Sequence, residues 1–130
     1  MKPHPTATNL AALLAELARA DVEFIVVGGA AAVLHGVPVI TKDLDIVHRR
    51  TPENVARLLD VLTRLDATFR YDLAERSLRP TAELLGGHGQ LNLSTSLGPL
   101  DPLCQLEDGL GYDDCWPTPK WSRTRARACG

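Results

Sequence analysis

Phe24-Ile25-Val26-Val27-Gly28-Gly29, then after a short small-residue segment Thr41-Lys42-Asp43-Leu44-Asp45-Ile46-Val47, is the stretch that decides how this chain folds. The first apolar run is rich in β-branched residues and too short for a helix, so it reads as a buried strand. Gly28-Gly29 breaks it. Ala30 to His35 then reads as a short helix ended by Gly36 and Pro38. From Asp43 to Val47 the alternation has a period of two, with Leu44 and Ile46 on one face of a strand and Asp43 and Asp45 on the other.

The flanking segments carry helical signals. Leu10, Leu13, Leu14, Leu17 and Ala18 make one apolar face behind a cap at Thr8 or Asn9. Thr51-Pro52-Glu53 opens a second long helix with a capping hydroxyl, a proline in the first turn and an acid near the positive helix end. Val55, Leu58, Leu59, Leu62 and Leu65 are its expected buried residues. Phe69 to Leu73 is a candidate strand, Thr81 caps a short helix through Leu85, and Leu91, Leu93 and Thr95 alternate with Asn92, Ser94 and Ser96 as a strand. Gly98-Pro99 is expected to interrupt that strand before Leu100-Asp101-Pro102-Leu103 resumes an extended path. Helices alternating with strands make a small α/β sandwich with helices packed on a mixed sheet.

A 130-residue chain of this kind buries about two-thirds of its unfolded surface in one domain. With 45% hydrophobic residues, 23% charged and a net charge of −2, its composition makes no global case for nucleic-acid or membrane binding. Met1 to Pro5 leads into an amphipathic stretch containing Glu16 and Arg19, unlike a signal peptide, and no run reaches membrane-spanning length. Cys104, Cys115 and Cys129 are odd in number and lack C-x-x-C spacing, so neither a disulfide framework nor a zinc site is expected. A cytoplasmic protein is the expectation. From Cys115 onward the periodicity vanishes, and Lys120, Arg123, Arg125 and Arg127 stand without an acid. We therefore divide the chain into a domain over 8–114 and an atypical, disordered basic tail over 115–130.

Two aspartates alone say little. A chain with 16 acids has about two acid-x-acid pairs by chance, and two are present, Asp21-x-Glu23 and Asp43-x-Asp45. The second pair differs in its setting. Two carboxylates on one strand face repel, and burying them without a cation is costly. Mg²⁺, which prefers carboxylate and phosphate oxygens, removes that cost. The alternative is a strand with a solvated acidic face. Gly28-Gly29, between strand and helix, lets backbone amides approach a phosphate, or is simply a tight turn. Neither G-x-G-x-x-G nor a G-K-[ST] P-loop is present.

Taken together, Gly28-Gly29 and Asp43-Leu44-Asp45, with thirteen residues between Gly29 and Asp43, resemble the nucleotidyltransferase superfamily. Within it, Val27-Gly28-Gly29-Ala30, Thr41 to Val47 and Leu97-Gly98-Pro99-Leu100-Asp101 are similar to the small prokaryotic members, some linked to toxin–antitoxin and abortive-infection systems. The resemblance covers roughly residues 8–114. It implies transfer of a nucleoside monophosphate from an NTP to a hydroxyl of a protein, RNA or small-molecule acceptor. Asp43, Asp45 and Asp101 would hold two Mg²⁺ ions (Mn²⁺ as a substitute), and Gly28 and Gly29 would bind the triphosphate.

Asp101 is the candidate third carboxylate; its alternative is a turn aspartate, and Pro102 argues for an edge or irregular strand. Thr41, Lys42 and Arg79 are candidate nucleotide contacts, Arg79 because Ser77-Leu78-Arg79-Pro80 resembles a recurrent stretch of the same small proteins. Asn92 and Ser94 share a strand face and are candidates to line the cleft. The resemblance also leaves room for a catalytically impaired binding module or a partner in a toxin–antitoxin pair. Members usually continue past Tyr112-Asp113-Asp114 into another strand and helix, so the change at Cys115 is read as a truncated or frame-shifted product or a basic extension.

Overall fold

A computed structural model describes residues 4–34, 36, 42–71, 78–106 and 110–115. Thr41, the segment 37–40 before it and the tail from 116 onward lie outside the described residues.

Helix α1 (Leu10–Arg19) starts where the Asn9 side chain accepts the amide of Ala12, so Asn9 rather than Thr8 is the cap. Leu13 and Leu17 are fully buried, each contributing about 1.5–3 kcal/mol by leaving water. Strand β1 (Phe24–Val27) follows, and helix α2 (Gly28–Leu34) begins at Gly28 itself, two residues earlier than the apolar pattern indicates. Strand β2 (Leu44–His48) excludes Asp43, which stands at the bend leading into it. In helix α3 (Pro52–Arg64) Thr51 accepts the amide of Asn54, and Val55, Leu58, Val61 and Leu62 are buried. Leu59 is only partly buried, and Val61 takes the inward position in its turn.

The remaining elements are short. Strand β3 covers only Thr68–Phe69, helix α4 Ala82–Leu85 behind the Thr81 cap, and strand β4 Leu93–Thr95. Strand β5 runs from Gly98 to Leu103, so Gly98-Pro99 opens a strand after a tight turn at Ser96-Leu97 instead of interrupting one.

These strands form one mixed sheet in the order β1-β2-β5-β4-β3. Only β2 and β5 run parallel; the other neighbours are antiparallel. Strand β5 is therefore central, contrary to the edge position that Pro102 implied. The ring is accommodated because Pro102 lies beside Leu91, just before β4 begins, where its carbonyl accepts the Leu91 amide at 2.9 Å.

All four helices contribute to a single core against one face of the sheet, with Phe24, Val26, Leu44, Ile46, Leu93 and Leu100 beneath them. Asn54 sews α3 to the strand ends. Its Oδ1 accepts the Glu23 amide at 2.7 Å and its Nδ2 donates to the carbonyls of Glu23 and Arg49. His48 ties α4 to β2 by donating from Nε2 to the Leu85 carbonyl, and burial pushes its imidazole down toward the neutral form. On the opposite face Ile25, Val27, Val47 and Tyr112 make a smaller apolar cluster, with Leu103 and Leu106 packed against it. No described helix is long and apolar enough to cross a membrane.

Candidate metal centre

The polar part of the open face is built by register. Asp45 stands opposite Val27 of β1 on one side and Asp101 of β5 on the other. Alternation points both acids away from the core, since their neighbours Leu44, Ile46 and Leu100 face the helices. Parallel pairing of β2 with β5 is what sets the two carboxylates side by side. Asp43, just upstream of β2, completes the group: Asp43, Asp45 and Asp101 each offer a carboxylate oxygen within 4.8 Å of the others. Among the described residues no other trio of His, Cys, Asp or Glu converges in this way.

The row continues into residues that sequence spacing did not bring together. The register of β3 and β4 extends so that the Arg70 amide donates to the Asn92 carbonyl at 2.9 Å. Arg70 reaches back over the sheet: Nη1 donates to the Leu93 carbonyl at 2.7 Å, and Nη2 lies 2.9 Å and 3.0 Å from the two Asp101 oxygens. The directed hydrogen bond goes to Oδ2, while the buried Oδ1 stands at ion-pair distance from the same nitrogen without a hydrogen bond of its own. Asp101 is only 3% exposed, so this is a deeply placed ion pair and not a surface contact.

Gly28 forms the fourth wall. It sits at φ +70, and a Cβ built there would lie 2.8 Å from Asp45 Oδ2. The glycine is thus required twice, by a left-handed backbone and by the carboxylate pressed against it. Gly29 follows at the exposed start of α2.

The electrostatics show the strain of collecting acids. Burial, reinforced by the charges of Asp43 and Asp101, pushes the Asp45 carboxyl up to about 6, with Arg70 opposing. Burial also raises Asp101, against the pull of its Arg70 pair. A set of carboxylate oxygens within 4.8 Å of one another, whose ionised forms resist coexistence, fits a divalent cation of the Mg²⁺ or Mn²⁺ class.

The other expected contacts fall elsewhere. Lys42 is exposed, and its carbonyl accepts the Thr8 amide at 3.2 Å. Arg79 pairs with Asp66 and reaches the Ala67 carbonyl, fastening the connection into β3. Together Arg79 and His4 hold the Asp66 carboxyl below the usual carboxylate range. Ser94 bonds the His4 ring at 2.9 Å, while Asn92 lies in the row that leads to Asp101.

The residues missed were Arg70 and His4. Arg70 follows a two-residue strand, and His4 meets Ser94 only through the fold. Residues 7–9 cross the tip of the β4–β5 hairpin. The Asn9 amide donates to the Leu97 carbonyl at 2.8 Å, and a Cβ on Gly98 would lie 2.5 Å from the Ala7 carbonyl oxygen. Comparison with models of known families, with curated proteins and with solved structures finds no match to this chain.

Proposed function

We propose that this chain is a divalent-metal-dependent nucleotidyltransferase that moves an NMP from an NTP to a hydroxyl of a protein, RNA or small-molecule acceptor. The observation that carries the proposal is the adjacency of Asp45 and Asp101 on parallel strands, with Asp43 beside them. Gly28, against Asp45 at the head of α2, supports it, because the same turn offers exposed backbone to a triphosphate.

Asp43, Asp45 and Asp101 would hold Mg²⁺ or Mn²⁺. When bound, the metal supplies charge neutralisation for the triphosphate and a lowered pKa for the acceptor hydroxyl. Gly28 and Gly29 would orient the triphosphate through their amides, with Lys42 at the rim as a second phosphate contact. Asp101, beside Asp45 in the sheet, would complete the ligand set, and the proton lost as the acceptor oxygen attacks the α-phosphorus would pass to solvent water. The bond to the β-phosphate then breaks and pyrophosphate leaves. Positioning and electrostatics carry the rate, and no covalent enzyme intermediate is needed. A cytoplasmic location, where NTPs are found, accompanies this proposal.

Arg70 favours a second reading. Its ion pair already supplies Asp101 with a cation, which is also what a catalytically impaired binding module, such as one half of a toxin–antitoxin pair, would show. The two readings separate in one experiment. The protein is incubated with each labelled NTP, Mg²⁺ or Mn²⁺, and cell lysate, and labelled protein or RNA is sought. Transfer that disappears in Asp45→Asn supports the enzyme; metal-dependent NTP binding with no transfer to any acceptor supports the module.

A further inference from the structure

We propose that Arg70 is a built-in counter-cation of the acid cluster, which keeps a bare divalent ion weakly bound and so sets the metal affinity of the site. This rests on the reading of Asp43, Asp45 and Asp101 as metal ligands and extends it to a residue outside the ligand set.

Geometry distinguishes Arg70 from an ordinary surface arginine. Its backbone is pinned to Asn92 and its Nη1 to the Leu93 carbonyl, so the guanidinium is clamped from behind and delivered to Asp101 at 2.9 Å and 3.0 Å. Its side chain is 21% exposed and that of Asp101 4%, so solvent screens the pair poorly. Asp101 is also the acid that stands beside Asp45 in the sheet, so the positive charge is fixed beside the place where a divalent ion would sit.

Two consequences follow. In the metal-free protein Arg70 offsets one of three carboxylates, which lets the fold hold them together. Toward a metal ion the same charge is repulsive, and a fixed unit charge a few ångströms away in a poorly screened site changes affinity by about tenfold or more. A metal that arrives complexed to a polyphosphate feels that repulsion less, because the phosphate oxygens offset both cations. Arg70 is therefore a positioning residue for Asp101 and a selector against the uncomplexed ion.

The test is Mn²⁺ binding to the whole chain at pH 7.5, followed by calorimetry and by the electron paramagnetic resonance of free Mn²⁺. Arg70→Gln is expected to bind Mn²⁺ alone about tenfold or more tighter than wild type. Arg70→Lys, which keeps the charge, is expected to stay within about threefold of it, and so is Arg64→Gln, which removes an arginine half-exposed on α3. Mn²⁺ affinity that is unchanged or weaker in a folded Arg70→Gln protein overturns the proposal.

A second measurement needs no variant. The side-chain Nε–H resonance of Arg70 in the wild type is expected to move on titration with Mg²⁺ as its pair with Asp101 loosens; a resonance that stays fixed at saturation overturns the proposal equally. Failure here is separable from failure of the functional reading. If Asp45→Asn binds Mn²⁺ as well as wild type, the metal centre itself is refuted. If Asp45→Asn loses Mn²⁺ while Arg70→Gln binds no tighter, only the role of Arg70 falls.

Discussion

Asp21-x-Glu23 and Asp43-x-Asp45 have the same spacing and lie at opposite ends of the same antiparallel pair of strands, yet they do different things. Asp21 is exposed in a left-handed turn at φ +58, closing α1, a conformation that aspartate tolerates better than most residues. Glu23 is paired with Arg49, just past the end of the neighbouring strand, at 2.9 Å. Each acid of that first pair has a local structural duty, and among the described residues neither belongs to a converging trio of carboxylates. The second pair instead borders the one parallel junction of the sheet, where a third acid from a distant segment is set beside it. Which carboxylates converge depends on which strand edge an acid occupies, and the spacing of the acids in sequence is silent about that.

The contrast can be broken most forcefully at Asp45. Asp45→Asn is expected to lower metal-dependent transfer of labelled NMP by about 100-fold or more, the scale seen when a key electrostatic group is lost, whereas Glu23→Gln should stay within about twofold in the same assay. Equal losses in both would remove the distinction between the pairs.

Gly28→Ala comes next, because it attacks the wall of the second pair without touching a carboxylate. The left-handed backbone and the contact with Asp45 Oδ2 together should cost about 1–3 kcal/mol in urea unfolding, and Mn²⁺ binding should weaken with it as Asp45 is displaced.

A subtler difference concerns pH. The Asp45 carboxyl is raised to about 6 in the fold, above its unfolded value, so the folded state binds its proton more tightly. That contribution favours folding at low pH and is lost as pH rises through about 6. Without metal, Asp45→Asn should therefore melt higher than wild type at pH 7.5, by about 3–6 °C per kcal/mol of relieved repulsion. The gap should close as pH falls toward 4 in a series of thermal melts. Excess Mg²⁺ should reverse the order by stabilising only the wild type.

The smallest effect belongs to the first pair. Removing Arg49 or Glu23 from their partly exposed bridge should cost about 0.2–1 kcal/mol and should fade at high salt.

Much of this was legible in the chain before folding. α1 and α3 are long enough for apolar periodicity to show, and Thr51 and Thr81 announce their helices through hydroxyl caps. That Asp43, Asp45 and Asp101 gather was an expectation of the sequence, and the register of β2 with β5 brings the three together, with Asp43 just outside the strand. Arg70 was not, because β3 is two residues long and its register comes from tertiary pairing with β4. Pro102 misdirected for a related reason. A proline argues against an interior strand only if a neighbour needs its missing donor, and here β4 has not yet begun where Pro102 lies. Leu59 and Val61 exchanged places because one turn of a helix offers two plausible inward positions, and packing chooses between them.

The lone parallel junction has a kinetic meaning as well. β2 and β5 are separated in the chain by α3, β3, α4 and β4, so Asp45 can meet Asp101 only after that long excursion has closed. Contacts of such separation are entropically slow to form. A divalent ion present in excess during refolding should therefore find no assembled site in early compact species, and its uptake should mark the moment at which the two halves of the sheet join.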